Sequence, residues 1–323
     1  MTTSAAWRLP LSVLLVLSLV GSMLVMTAGP SRASEPAPEA SLNVPASVLI
    51  GDSFSFTATF DNVAATSTGY GPYLDVFLPV QGADGDPGAD PIEPPDGISF
   101  TGSATYLGAD VTAIELELAC DGTDVHPFTG LEVSCPAGTG PGDVLLVLEL
   151  PFGSFTPTQP PATVDLEVEL SDRADLGVPL PITAQAGFRY GADPLDNPDA
   201  DPPIVQDEPV VAEVAPTLAS LSKSYLGPED ETATGPNFPR TWLVELTVAE
   251  GQTLTDVALT DLLPDNVAFL DAEVTVGTGS ITTEPPDDTP QTAGVVEATF
   301  PEVTGTGGVS AAFEIEFYIP EFD

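Results

Sequence analysis

The stretch Thr163-Val164-Asp165-Leu166-Glu167-Val168-Glu169-Leu170 decides the fold class. Its period of two puts Val164, Leu166, Val168 and Leu170 on one face of an extended chain and the acids on the other. A helix would scatter both sets around its axis. Ile114, Leu116 and Leu118 repeat the pattern against Glu115 and Glu117, and Phe313, Ile315 and Phe317 repeat it against Glu314 and Glu316. Trp242, Val244, Leu246 and Val248 form another such stripe, as do Phe54, Phe56, Ala58 and Phe60. Each reads as a strand with one face on a core and one in water. Val144-Leu145-Leu146-Val147-Leu148 is apolar throughout and reads as a central strand covered on both faces.

Strands are expected near 44–50, 53–61, 73–79, 98–106, 111–119, 143–150, 163–170 and 181–190, and again near 218–225, 240–249, 254–260, 267–275, 294–299 and 309–319. Pro (35) and Gly (29) supply the turns between them and leave little room for long helices. The expected fold is all-β: two antiparallel β-sandwiches following a signal peptide. The segments are 1–33, signal peptide; 34–190, first sandwich; 191–215, an acidic Pro-rich linker; and 216–323, second sandwich. The second unit reads either as a complete six-stranded domain or as one cut short after its last strand.

Charge restricts function. The chain has 49 Asp+Glu against 6 Lys+Arg, a formal net charge of -43. Nucleic acid is excluded as a partner, because phosphate binding needs clustered Lys and Arg. A hydrophobic fraction of 42% is too high for a disordered acidic chain. One His and two Cys leave little material for a metal hydrolase or a His-based triad.

The first 33 residues contain no acid. Arg8 precedes an uncharged apolar stretch, and Ser31-Arg32-Ala33 supplies small residues before Ser34. This is the pattern of a secretory signal cleaved between Ala33 and Ser34. An uncleaved anchor is the plain alternative. Contact with a membrane is then expected only through this segment, during export. Cleavage leaves Arg173, Arg189, Lys223 and Arg240 as the basic residues. Outside the cytoplasm two lone thiols pair, so Cys120 and Cys135 are expected to form a disulfide. The catalytic alternative is a Cys nucleophile served by His126. It is weakened by the place of His126 in the turn-like run Gly122-Thr123-Asp124-Val125-His126-Pro127, inside the same loop.

Leu74-Asp75-Val76-Phe77-Leu78-Pro79 and Leu259-Thr260-Asp261-Leu262-Leu263-Pro264 resemble each other, and Gly51-Asp52-Ser53-Phe54 opens a strand before the first of them. Together with Gly251 to Phe269, these segments resemble the conserved repeat domains of large bacterial cell-surface proteins. Lys223-Ser224-Tyr225-Leu226-Gly227-Pro228-Glu229-Asp230 is similar to the opening strand of isopeptide-forming, pilin-like domains. The resemblance covers 216–323 and, more loosely, 41–80. It implies immunoglobulin-like stalk or adhesive modules. It also implies Lys223 as an isopeptide donor, with Asn237 and Asn266 as candidate acceptors, against the plain alternative of an exposed lysine on a sheet edge.

Two acidic loops suit calcium, which takes six to eight oxygens. One holds Asp84, Asp86 and Asp90, and the other holds Asp193, Asp196, Asn197, Asp199 and Asp201. Gly88, Ala89 and Pro95 break the EF-hand pattern in the first. The plain alternative is a solvated acidic surface suited to a salty habitat, where screening makes self-repulsion tolerable. With 49 acids, paired carboxylates carry no information about glycoside chemistry.

The expected function is that of a secreted, non-enzymatic, structural or adhesive cell-surface protein, the N-terminal part of a longer stalk, with cell-surface or matrix components, glycans among them, as partners. The alternative is an extracellular carbohydrate-binding or carbohydrate-processing protein, with Tyr70 and Tyr73 as its aromatic platform.

Overall fold

The computed structural model describes residues 35–83, 94–195, 203–229, 232–284 and 294–321. All regular structure among them is β. The first unit contains β1 (Pro38–Asn43), β2 (Ser47–Leu49), β3 (Ser53–Asn62), β4 (Gly69–Tyr70), β5 (Pro72–Leu78), β6 (Ile98–Tyr106), β7 (Ala109–Asp110), β8 (Thr112–Glu117), β9 (Val144–Glu149), β10 (Ser154–Phe155), β11 (Ala162–Leu170), β12 (Leu180–Phe188), β13 (Val205–Gln206) and β14 (Val210–Thr217). The second contains β15 (Ala219–Gly227), β16 (Arg240–Val248), β17 (Thr253–Leu262), β18 (Ala268–Val276), β19 (Ser280–Glu284), β20 (Val295–Thr304) and β21 (Val309–Tyr318).

In the first unit the sheet β1-β3-β11-β6-β7 packs on the sheet β2-β14-β12-β5-β9-β8, with β13 paired to β12. The alternation of β11 acts as its sequence requires: Val164, Leu166, Val168 and Leu170 are fully buried, and the acids between them are exposed. Burying each such side chain contributes about 1.5–3 kcal/mol, an upper bound because unfolded chains are partly compact. Phe60 anchors the far end of the core, edge-on to Phe155 and to Phe188, each at 5.2 Å.

The uninterrupted apolar run of β9 also has its reason. Leu146 and Leu148 face the core between the sheets. Leu145 and Val147 face the other way, and with Phe77, Leu118 and Val133 they form a smaller cluster beneath the 118–143 segment. That segment is a third layer on part of the second sheet.

One expectation is corrected. The acidic, Pro-rich 191–215 segment was to be a linker, yet β13 and most of β14 lie within it. β14 pairs antiparallel with β12 and parallel with β2. Val214 and Ala212 lend it enough of a period-two face to join the sheet, and Val214 is fully buried. The first sandwich therefore runs to Thr217, with only Leu218 between β14 and β15. The β2–β14 pair is also a parallel element in an otherwise antiparallel set.

The second unit packs β15-β16-β21-β18 against β17-β20-β19 around Val244, Leu246, Phe300, Phe313 and Ile315. Strand β19 was not expected from the sequence. It pairs with β20 and extends the smaller sheet by one strand.

Candidate functional site

The most unusual chemistry lies under the 118–143 lobe. β5 is buried at every position, and one of those positions is an acid, Asp75. It is only 2% exposed, in a strand hydrogen-bonded on both sides to β12 and β9. An isolated carboxylate there would be costly. The lobe answers it with His126, 4% exposed, whose Nε2 lies 2.9 Å from Asp75 Oδ1. The amides of Phe128 and Thr129 donate to His126 Nδ1 at 3.1 and 3.0 Å. With Nδ1 accepting, the ring proton sits on Nε2 and is donated to Asp75. Burial pushes the Asp75 carboxyl above its ordinary range, and the bond from His126 opposes that push.

The lobe is held in three ways. Cys120 and Cys135 are joined by a disulfide. The Asp124 carboxylate accepts the amides of Ala119 and Cys120 at 2.8–3.0 Å, which supports Cys120 at a φ of 53°. At the lobe's base Asp143 accepts the amides of Gln81 and Gly140 at 3.0 and 2.8 Å. The sulfurs and the Asp124 carboxylate lie together, but both sulfurs are spent in the disulfide and offer no thiolate to a metal.

Beside the pair, Tyr73 is fully buried and meets His126 and Phe128 edge-on at 5.3 and 5.5 Å. Gly187 on the neighbouring strand makes this possible: a Cβ there would collide with the tyrosine ring. The Arg189 guanidinium lies 4.6 Å over the Phe128 ring and closes the aromatic stack. Tyr73 is thus part of the interior, and the Tyr70–Tyr73 sugar platform is not formed.

A cavity of about 340 Å³ opens between lobe and sheet, lined by Asp75, His126, Glu132, Ser134, Gln185 and Gln206 among others. Both nitrogens of His126 are engaged, Nε2 with Asp75 on the sheet and Nδ1 with the lobe's own amides, so the pair ties the lobe to the sheet.

Asp207 forms a second polar clamp. Its carboxylate accepts the amide of Ala40 on β1 at 2.6 Å and that of Ala186 on β12 at 2.7 Å, tying one sheet to the other. Burial raises its carboxyl to about 6, and the two amide bonds oppose the rise. The lone acid in an apolar run at Asp75 and the lone histidine were signals visible in the sequence; Asp207 had none.

In the second sandwich Lys223, on β15, reaches across to β17. Its Nζ lies 2.7 Å from Asp261 Oδ2 and 3.9 Å over the Trp242 ring, which stacks on Phe317 at 3.9 Å. The partner of Lys223 is therefore Asp261. Asp261 is the residue that β17 presents to the lysine.

Among the other expected site residues, Asp193 is half-buried near the end of the first sandwich, its amide donating to Tyr190 O at 2.9 Å. Ala33, Ser34, Asp84, Asp86, Asp90, Asp196, Asn197, Asp199 and Asp201 lie outside the described residues. Among the described residues no helix is long and apolar enough to cross a membrane.

No protein-family model matches the chain, and no curated protein matches it. Solved structures give remote likenesses. The macrocyclization enzyme AvmM of alchivemycin A biosynthesis aligns at TM-score 0.32 and 15% identity, over 57% of this chain and 90% of its own. The C-terminal domain of the Streptococcus agalactiae antigen I/II polypeptide BspA aligns at 0.27 and 11%, over 88% and 91%. BcpA, the major pilin subunit of Bacillus cereus, aligns at 0.24 and 12%, over 89% and 67%. At these scores the likenesses add nothing to the sheet assignments, which rest on the chain's own strand pairing.

Proposed function

We propose that this chain is a secreted, non-enzymatic structural or adhesive module at the cell surface, acting as a spacer within a stalk. One observation carries the reading: the chain runs through the first sandwich from end to end. It enters where Pro38 pairs with Asn62 and leaves where Thr217 pairs with Leu49, at the opposite end of the sheets. The second sandwich repeats the arrangement. Ala219 pairs near Val248 at one end, and Tyr318 lies beside Ala268 at the other. Such connectivity suits strings of modules whose length is the useful property. The engaged nitrogens of His126 support the non-enzymatic part of the reading.

Partners on this reading are cell-surface or matrix components, glycans included. Calcium at the 84–96 and 193–201 loops belongs to the same reading. Melting curves in millimolar calcium and in ionic-strength-matched sodium chloride test it, and superimposable curves would remove calcium from the proposal. The function itself is tested by protease shaving and antibody labelling of intact cells that carry the gene, with N-terminal sequencing of the released material. Labelled intact cells and a start at Ser34 are expected. Protein confined to the cytoplasmic fraction would overturn the reading.

A further inference from the structure

We infer that the parallel β2–β14 pair is a mechanical clamp that makes the first sandwich resist force applied along the chain. The inference rests on the spacer reading, because only a module held at both ends is loaded in this way. The argument starts from direction. β2 follows the entry strand β1 and lies at the exit end of the sandwich, beside β14, the strand by which the chain leaves. The two run parallel, with Ala215 opposite Ser47, Pro216 opposite Val48 and Thr217 opposite Leu49. Tension pulls β2 back toward its N-terminal end and β14 forward toward its C-terminal end. The two strands must slide past each other along their length. Their hydrogen bonds lie across the sliding direction and are strained together. A hairpin pulled open at one end would instead lose its bonds one at a time.

The bonds that tie this seam are specific. The Ala215 amide donates to Ala46 O at 3.1 Å, and the Ile50 amide donates to Thr217 O at 3.0 Å. The Thr217 hydroxyl adds a bond to Val48 O at 3.1 Å. On its other side β14 is paired with β12 from Val210 to Val214, so it is backed by the interior of the sheet. Upstream of β2, β1 is held by six register pairs with β3 and by the Asp207 carboxylate on the Ala40 amide. Tension entering at residue 38 therefore meets the β1 pairing first and the β2–β14 seam next, before any core strand is exposed.

Equilibrium stability and mechanical resistance separate in such a device. Forced unfolding is governed by the unfolding barrier along the pulling direction, whereas denaturant reports the whole fold. The experiment is single-molecule stretching of the full chain through its two ends. The first-sandwich event is recognised by the greater length it releases, and by the further lengthening when the Cys120–Cys135 bond is reduced. Thr217→Val removes the hydroxyl bond and keeps the shape. Ala215→Pro removes the donor to Ala46. Val164→Ala, in the core strand β11, is a control that weakens the fold away from the seam. The rupture force of the first sandwich should fall by roughly half in Ala215→Pro and by a smaller step in Thr217→Val, while Val164→Ala holds close to wild type despite a larger loss in urea. If Ala215→Pro does not fold, Thr217→Val carries the comparison. Rupture forces that track urea stability across all variants would overturn the clamp. That outcome would leave surface labelling of intact cells unchanged, so failure of the clamp and failure of the spacer reading are distinguishable.

Discussion

The two sandwiches are written in the same acidic, alternating language and are stabilised differently. The first carries ionisable groups inside. Asp75 and His126 are paired in the interior, Asp143 and Asp207 are buried enough to be pushed upward in pKa, and a disulfide lobe covers the pair. Among its described residues the second holds no such lobe: Lys223 is more than a third exposed above Trp242 and against Asp261, while Arg240 is buried at the start of β16 and donates to the Ala233 carbonyl at 3.2 Å. An acidic strand face is compatible with either design. What separates them is whether a third layer exists to cover a buried carboxylate–histidine pair and to carry a disulfide. Where it exists, stability becomes dependent on redox state and pH. Where it does not, apolar packing between two sheets carries the fold.

The sharpest way to break this contrast is to remove His126. His126→Ala leaves Asp75 buried in mid-sheet without its partner, a change that costs about 3–5 kcal/mol. Urea unfolding should show the first-sandwich transition moving to much lower denaturant and the second staying in place. Replacing both partners, as Asp75→Leu with His126→Leu, should recover most of the loss, because no charge is left stranded. Equal midpoints for wild type and His126→Ala would show that Asp75 does not depend on the lobe.

Reduction tests the same lobe from its covalent side. The two cysteines are separated by 15 positions, a loop whose closure contributes roughly 3 kcal/mol in the chain-entropy model. Melting with and without a reductant should lower only the first transition. A second transition that falls by the same amount would mean that the two sandwiches unfold as one unit.

Acidity should also separate them, by a smaller margin. The Asp207 carboxyl is raised from 3.8 to about 6 in the folded chain. The folded state thus holds this proton more tightly than the unfolded state does. The stability it contributes is complete below pH 3.8 and is lost as pH rises through about 6. Moving from pH 7 to pH 5 should stabilise the first sandwich, by on the order of 1 kcal/mol after allowing for solvent screening. Asp207→Asn should flatten that slope. General relief of acid–acid repulsion would raise both transitions together, so the second sandwich is the internal control. A slope unchanged by Asp207→Asn would remove the clamp as its source.

The fold was legible where a local pattern sufficed. β11, β16 and β21 each announce a buried face within eight or nine residues, and the wholly apolar β9 announced two covered faces. β14 was not legible, because Pro209, Pro216 and the acids around them read as linker, and its place depends on β12 and β2 far away in sequence. The polar site was less legible still. Asp75 stood out as an acid in an apolar run, but its partner lies 51 positions away, and no local rule connects them. Asp207 meets Ala40 across 167 positions. The disulfide was readable from two lone cysteines together with the expectation of export. The strand carrying Lys223 was readable, while its ion-pair partner depended on which residue the facing sheet presents.

That lysine gives the smallest expected effect and the cleanest limit on the contrast. Lys223 pairs with Asp261 at 2.7 Å and covers the Trp242 face, but its side chain is 36% exposed. Exposed pairs contribute about 0.2–1 kcal/mol, and an exposed cation over an aromatic ring about 0.5–1 kcal/mol, both weakened by salt for the charged part. Lys223→Met should therefore lower the second transition by about 1 kcal/mol or less and leave the first unchanged. The chemistry of the pair follows from the same exposure. Amide formation between Lys223 and Asp261 would release one water and needs a neutral amine facing a neutral carboxyl, which a dry site favours and a watered one opposes. Intact mass should therefore show no loss of water relative to the sequence of the purified chain. A mass short by one water, restored in Lys223→Met after correction for the substitution, would convert the pair into a covalent tie between β15 and β17. The second sandwich would then be locked by a bond, and the first by a disulfide and a buried carboxylate–histidine hydrogen bond.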